Sequence, residues 1–549
     1  NPEHLRLARK FHHQRILDPL ARKEDALNGL HGNTQIPKAI ASARDYELTG
    51  EHRYHDIADF FWERVAKYRS YVIGGNTDNE TFFPIETFSK RLGQSSTETC
   101  NTYNMLKLTR HLFAWTPSAE KMDFYERGLY NHILGSQDPA TGMMSYYVPL
   151  RPGAFKTFSD PEESFWCCVG TGMENHAKYS DTIYYRDGQS LYVNLFIASE
   201  LKWKDKGLTV RQETRFPEED TTRLTFKSEK PVKLALKVRY PSWARSGITL
   251  TINGKKEAVN AQPGSYVTVE REWKSGDTVQ VQLPMSLRME AMPDDPKLIA
   301  LLYGPIVLAG DLGKEGLSKS VQYGPTQPAL GRIKPVEVPG FIGEVKDVLS
   351  KIKPVAVASL TFRTSGLARP RDVTLLPFYK VFEQRYTVYW RVYTAAEWEK
   401  ARAETAAAET RRKEIESRTL DSVNAGDEQS ERSHNLQEEQ SNREQGGRSA
   451  RIWFSYDLKV QPDKPMTLVC TYRGSEGRRR AFEILVDGER LATQALEIHP
   501  TETFDFEYPL PERLTRGKQK ITVKFQAQPD ATAGTVLDVR VAQLDPAKK

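Results

Sequence analysis

Residues Ser95–Leu134 read SSTETCNTYNMLKLTRHLFAWTPSAEKMDFYERGLYNHIL. Apolar residues recur at helical spacing from Cys100 to Trp115 and again from Ala119 to Leu134, with Thr116-Pro117-Ser118 between them. That spacing predicts helix, short turn, helix. The pattern repeats upstream: Ile36 to Leu48 stops at Thr49-Gly50, and His52 to Val65 resumes it. Repeated helical hairpins over residues 1 to about 185 predict an array such as an α/α toroid. Two capping boxes mark helix starts, in which a side chain takes the backbone N–H three residues on. Ser95 with Glu98 opens the helix bearing Cys100, and Thr171 with Glu174 opens one just after Cys168.

Beyond about Leu191 the texture changes. Leu191–Leu195 and Ile248–Ile252 alternate as strands do, and the second ends at Asn253-Gly254, a hairpin signal. Short strands up to about Gly310 predict a β-sandwich. Residues 311–393 mix Pro and Gly with strand-like runs. Thr394 with Glu397 caps a charged helix running to about Leu420. Asp421–Ser449, rich in Glu, Gln, Ser, Asn and Gly, reads as a surface loop or linker. A last β domain, Ile452 to Leu544, has a hairpin at Asp487-Gly488, and its lone strand cysteine, Cys470, belongs in a core. The expected organisation is multidomain α + β, with domains at 1–188, 189–310, 311–393, 394–450 and 451–549.

The 549 residues carry a net charge of +6, with basic and acidic side chains interspersed. No basic face interleaved with aromatics is present, so a nucleic-acid partner is not expected. No run of about 18 apolar residues exists, so no membrane span is expected. Four cysteines make no disulfide framework at this length. Asn1-Pro2-Glu3-His4-Leu5 has neither Met nor a signal-peptide pattern and runs into a helical stretch. The chain is expected to begin partway through a larger protein.

Three of the four cysteines sit in two suggestive places. Cys167 and Cys168 are adjacent, in Ser164-Phe165-Trp166-Cys167-Cys168-Val169-Gly170-Thr171-Gly172, and Cys100 follows Glu98 by two positions. Zinc prefers four ligands drawn from Cys, His and carboxylates. Glu98, Cys100, Cys167 and Cys168 form such a set. Cysteines near helix N-termini also favour the thiolate, a strong nucleophile. Unligated cysteines buried near a helix start are the alternative. Glu80, in Gly74-Gly75-Asn76-Thr77-Asp78-Asn79-Glu80-Thr81-Phe82-Phe83-Pro84, is a carboxylate on a Gly-rich loop beside aromatics, a setting suited to a general acid or to a solvated loop. His31, Asn33 and Gln35 form a polar run that fits sugar hydroxyls or an ordinary helix start. Tyr146 and Tyr147 could stack on a sugar ring or pack in a core, and His176 could line the site or satisfy a carbonyl.

These motifs resemble the β-L-arabinofuranosidase clan, glycoside hydrolase family 127 and the related family 146, formerly a domain of unknown function numbered 1680. The matching residues are His31-Gly32-Asn33-Thr34-Gln35-Ile36-Pro37-Lys38, Gly74-Gly75-Asn76 with Glu80, Glu98-Thr99-Cys100-Asn101-Thr102-Tyr103-Asn104, Phe165 through Asn175, and Tyr303-Gly304-Pro305-Ile306-Val307-Leu308-Ala309-Gly310. The resemblance implies an (α/α)6 catalytic barrel followed by β-sandwich domains. It implies zinc held by Glu98, Cys100, Cys167 and Cys168, with Cys167 as nucleophile and Glu80 as acid/base. It also implies substrate contacts from His31, Gln35, Tyr146, Tyr147 and His176. The substrate would be an oligo- or polysaccharide of arabinan or pectic type. In the family several barrel helices precede the His31 position, whereas here only residues 1–30 do, so a partial toroid is expected. A periplasmic or extracellular location is expected for the full-length protein. The competing expectation is a non-catalytic carbohydrate-binding or scaffold protein stapled by a structural zinc.

Overall fold

The computed structural model describes residues 2–324, 336–356, 360–444, 447–462, 464–474, 479–496 and 503–544. Among them the chain divides into two compact units, split after Tyr393.

The first unit opens with helices α1 (Pro2–Arg9), α2 (Gln14–Ala21), α3 (Gly32–Thr49), α4 (His52–Ala66), α5 (Thr99–Trp115), α6 (Ala119–Gly128) and α7 (Cys167–Ala177). The predicted periodicity is what buries them. Ile36, Ala39 and Ala43 of α3 meet Ile57, Phe61 and Val65 of α4 and Met105, Leu108 and Leu112 of α5 in one core. These positions are three or four apart, so each helix presents one apolar stripe. None of the described helices is long and apolar enough to cross a membrane.

Both predicted capping boxes in this region are corrected. Helix α5 starts at Thr99 with Glu98 at its N-cap position, and no side chain caps it. The Tyr146 carbonyl instead accepts the Thr99 N–H at 3.0 Å, and the Thr99 hydroxyl donates to the Ser145 carbonyl at 3.0 Å. A neighbouring segment thus satisfies the free N–H groups, and the Glu98 side chain is left for another use. Helix α7 starts at Cys167 itself, with Trp166 extended before it, so Thr171 and Glu174 lie inside the helix. Gly172 lets α7 settle closely, since a Cβ there would stand 2.8 Å from Met144 Sδ.

A β-sandwich follows. Its four-stranded sheet comprises Tyr184–Asp187, Ser190–Val193, Val232–Tyr240 and Ser265–Trp273. Its six-stranded sheet includes Leu208–Thr214, Thr221–Ser228, Thr278–Gln282 and Thr249–Ile252. Val193, Leu236, Val210, Phe226 and Val281 share the core between them. Asn253 and Gly254 have φ of 49° and 81°, as a type I′ hairpin turn requires. Fully buried Arg239 ties this sandwich to α6. It pairs with Asp123 and Glu126 and donates to the Asn194 carbonyl at 2.6 Å.

The predicted sandwich boundary at 310 is corrected to about 285. Leu287–Met292, Asp295–Tyr303 and Ile306–Asp311 belong to a ten-stranded sheet with later strands such as Thr374–Pro377 and Tyr389–Tyr393. Alternation within a strand says which residues face inward but not which sheet the strand joins.

The second unit begins with a helix, Ala395–Arg418, carrying the predicted capping box: Thr394 Oγ1 accepts from Glu397 N at 3.2 Å and Glu397 Oε2 from Thr394 N at 2.8 Å. The predicted linker over 421–449 is corrected. Thr419–Asn424 pairs with Ala533–Gln543, and Gln437–Glu444 pairs with the long strand Gly447–Lys459, all within a nine-stranded sheet of the described residues. The segment is polar because these strands bury little: Val423 alone in Thr419–Asn424, and none of the residues 437–443. Cys470 is fully buried in this unit's core, where burial pushes its thiol up to about 12.

Candidate active site

The starts of α5 and α7 converge. Cys100 lies in the first turn of α5, and Cys167 and Cys168 are the first two residues of α7. Cys100 Sγ is 3.1 Å from Cys168 Sγ, and Cys167 Sγ is 3.9 Å from Cys168 Sγ. Glu98 Oε1 lies 3.9 Å from both Cys167 Sγ and Cys168 Sγ. One ligand atom from each of the four falls within 4.8 Å of the others. Glu98, Cys100 and Cys168 are buried, whereas Cys167 is exposed.

The electrostatics of this cluster are unusual. Contacts with Cys100, with Cys168 and with the Tyr146 hydroxyl hold the Cys167 thiol well below its ordinary value. The contact with Cys167 raises Cys100, and burial raises Cys168. Burial, with Glu80 and Cys167 nearby, pushes the Glu98 carboxyl up to about 8. Its Oε1 accepts from Asn33 Nδ2 at 3.2 Å, but its buried Oε2 has no partner among the described residues. A buried carboxylate oxygen without a donor is rare. Three sulfurs and this carboxylate match the number and kind of donors of a four-coordinate metal site.

Glu80 reaches the same place from a strained loop. Thr77, Asn79, Glu80 and Thr97 have φ of 68°, 46°, 61° and 57°, a region non-glycine residues seldom occupy. Gly74 lets this loop sit against α6, since a Cβ on it would lie 2.7 Å from Gly128 Cα. Gly32 N donates to the Glu80 carbonyl at 2.6 Å, and Asn79 N to the Ser95 carbonyl at 3.0 Å. The carboxyl is gripped on both oxygens. His31 Nε2 is 2.8 Å from Oε2, and the Tyr146 and Tyr147 hydroxyls both donate to Oε1, Tyr147 at 3.0 Å. The Tyr146 hydroxyl is also 3.8 Å from Cys167 Sγ. Trp166 lies against Tyr146, ring centroids 5.8 Å apart.

The structure thus brings together Glu80, Glu98, Cys100, Cys167, Cys168, His31, Tyr146 and Tyr147. Two predicted residues turn elsewhere. Gln35 is buried, donating to the His31 carbonyl at 3.3 Å and accepting from Lys38 Nζ at 2.7 Å. His176, at the far end of α7, pairs with the Tyr179 hydroxyl, and burial pushes its imidazole down to about 4. Glu174 accepts from the Tyr103 hydroxyl at 2.7 Å rather than capping a helix. Asn104, which sequence reading passed over, donates to Asn33 Oδ1 at 2.7 Å and so steadies the amide that holds Glu98. The available signal was its place four residues after Cys100, on the same helix face.

Comparison with known proteins agrees with this architecture. Residues 1–181 match the β-L-arabinofuranosidase GH127 catalytic domain and residues 190–285 the GH127 middle domain. Residues 288–392 and 414–542 match two domain families of unknown function, DUF4986 and DUF6805. A non-reducing end β-L-arabinofuranosidase of Bifidobacterium longum subsp. longum is 24% identical over 293 residues, covering 48% of this chain and 43% of that protein. The chain thus spans less than half the length of that curated relative. Among solved structures, Ara127N-Se, a GH127 β-L-arabinofuranosidase from Geobacillus stearothermophilus T6, superposes with a TM-score of 0.52 at 20% identity, covering 66% of this chain and 60% of that one. A structure described as a glycoside hydrolase gives a TM-score of 0.57 at 19% identity over 71% and 72% of the two chains. The likeness to these two structures is one of fold. The chain belongs to glycoside hydrolase family 127.

Proposed function

We propose that this chain is a retaining glycoside hydrolase that releases β-L-arabinofuranose from arabinan- or pectic-type plant glycans. The observation that carries this reading is the placement of Glu80 and the exposed Cys167 thiol on either side of the Tyr146 hydroxyl. A retaining enzyme needs a nucleophile and a proton donor flanking one glycosidic bond. Cys167 takes the first role and Glu80 the second.

Cys167 Sγ attacks the anomeric carbon, and a C–S bond forms as the glycosidic C–O bond breaks. Glu80 gives its proton to the departing oxygen. Because two tyrosine hydroxyls donate to Oε1, that proton sits on Oε2, the oxygen facing His31. Glu80, now a carboxylate, takes a proton from water. The water oxygen attacks the same carbon, the C–S bond breaks, and the thiolate returns. Two inversions leave the anomeric configuration unchanged.

Glu98, Cys100, Cys167 and Cys168 are the residues that hold zinc in this reading, and zinc supplies the positive charge that keeps their sulfurs deprotonated near neutral pH. His31, Tyr146 and Tyr147 aim Glu80 and meet the sugar. The hairpins α3–α4 and α5–α6 support reading the helical layer as part of an (α/α)6 toroid, and we place the full-length protein in the periplasm or outside the cell.

The test is elemental analysis for zinc together with turnover of an aryl β-L-arabinofuranoside by the wild type, Cys167→Ser and Glu80→Gln. Turnover that survives Cys167→Ser sinks the thiolate mechanism. Zinc without any turnover favours a carbohydrate-binding scaffold.

A further inference from the structure

Thr171 reads from sequence as a helix cap, but it sits one turn inside α7, four residues after Cys167 and therefore on the same helix face. Its Oγ1 lies 2.9 Å from Cys100 Sγ on the facing helix α5 and 3.3 Å from the Cys167 carbonyl oxygen. A threonine inside a helix ordinarily gives its hydroxyl hydrogen to the carbonyl four residues back. Here the shorter contact is to sulfur, although sulfur is the larger atom. The contact crosses between the two helices that supply the sulfurs.

We infer that Thr171 is the positioning residue for the Cys100 sulfur, donating its hydroxyl hydrogen to it when that sulfur ligates the metal. This rests on the metal site of the proposed function. A ligating cysteine carries no proton, so only Thr171 can donate in that state. When Cys100 is a thiol, its S–H can donate to Thr171 Oγ1, and the hydroxyl then donates to the Cys167 carbonyl. The pair is hydrogen-bonded in either state, and only the direction changes. Groups of this kind, behind a ligand, fix its orientation and typically account for about 10–100-fold in metal affinity. The neighbouring glycine supports the role. Gly172 lets α7 lie close against Met144, since a Cβ there would stand 2.8 Å from Met144 Sδ.

The experiment is competition for zinc between a colorimetric chelator and the wild type, Thr171→Val, Thr171→Ala and Thr171→Ser, with thermal unfolding of each metal-free chain as the folding control. Thr171 is only partly buried, so the metal-free variants should unfold with the wild type. The expected result is zinc affinity about 10–100-fold weaker for Val and Ala, and near wild type for Ser, which keeps the hydroxyl. Val and Ala that hold zinc as tightly as the wild type overturn the inference and leave the proposed function standing. So does Ser weakened as much as Val. A wild-type chain that takes up no zinc overturns the proposed function and this inference with it.

Discussion

Glu98 at the start of α5 and Glu431 in the short helix Glu428–Ser433 of the second unit are buried to the same degree, each 1% exposed. Their surroundings differ completely. Glu431 accepts from Arg448 Nε at 2.5 Å and Nη2 at 2.6 Å, from the Tyr456 hydroxyl at 2.7 Å and from Gly426 N at 2.7 Å. Burial alone would raise its carboxyl, but these donors outweigh burial and hold it below its ordinary value. Glu98 has one amide donor and three sulfurs around it, and its carboxyl is pushed up to about 8. A buried charge is tolerated when its partner is built in. Glu431 has its partner in the chain. The surroundings of Glu98 call for a cation the chain does not supply, and that marks it as part of a binding site. The cysteines repeat the contrast: Cys470 is a core residue whose thiol burial raises, whereas Cys167 is an exposed sulfur whose thiol its neighbours lower.

The largest effect should come from the helical layer. Cys167→Ser should lower turnover of an aryl β-L-arabinofuranoside by about 1000-fold or more, as expected when a nucleophile is removed. Glu431→Gln should leave that turnover unchanged. Next, Glu80→Gln should cost about 10²–10⁴-fold, the range for losing a general acid, with zinc content unaltered.

Stability should then divide the two glutamates. Glu431→Gln leaves buried Arg448 with only the more exposed Glu438 as counter-charge and should cost about 3 kcal/mol in denaturant unfolding. Glu98→Gln should change the unfolding of the metal-free chain by less than about 1 kcal/mol while abolishing tight zinc uptake, because the carboxyl has no ionic partner to lose. The reverse pattern would break the comparison.

The last effect is on acid stability. Burial, then the charge of Lys156, pushes His132 down to about 3. Its folded value lies below the ordinary one near 6.5, so the unfolded chain takes up the proton first. The stability this group contributes is complete above about pH 6.5 and falls by up to about 1.4 kcal/mol per pH unit toward pH 3. The Glu431 contribution is likewise present above its ordinary value near 4.5 and is lost only as pH falls below it. Urea unfolding at pH 7, 5.5 and 4 should therefore show loss beginning above pH 5.5. Loss confined to below pH 4.5 would remove His132 from the account.

Much of this was legible in the sequence because it is local. Apolar spacing placed α3 to α6, Asn253-Gly254 and Asp487-Gly488 placed hairpins, and Glu98 with three cysteines gave the cluster of candidate metal donors. What was missed depends on distant partners. The Ser95 and Thr171 capping boxes obey the local rule, but the first helix starts later, at Thr99, whose N–H the distant Tyr146 carbonyl accepts, and the Thr171 hydroxyl meets the Cys100 sulfur. The polar composition of 421–449 reads as a loop, yet Thr419–Asn424 pairs with a strand more than a hundred positions later, and Gln437–Glu444 pairs with the strand just after it. Gln35 and His176 carry suitable chemistry, but helix geometry turns one back onto α3 and puts the other at the far end of α7. Residue type gave the candidates, and only the fold chose among them.

The most direct test of the central claim is to trap the intermediate. The zinc-loaded chain would be mixed with an activated β-L-arabinofuranoside, quenched within the first turnovers, digested and mapped by mass spectrometry. The account predicts a pentosyl group on the peptide carrying Cys167-Cys168, assigned to Cys167 by fragmentation and absent from Cys167→Ser. Sugar on Glu80 or another carboxylate, or turnover with retained configuration by Cys167→Ser, would contradict it.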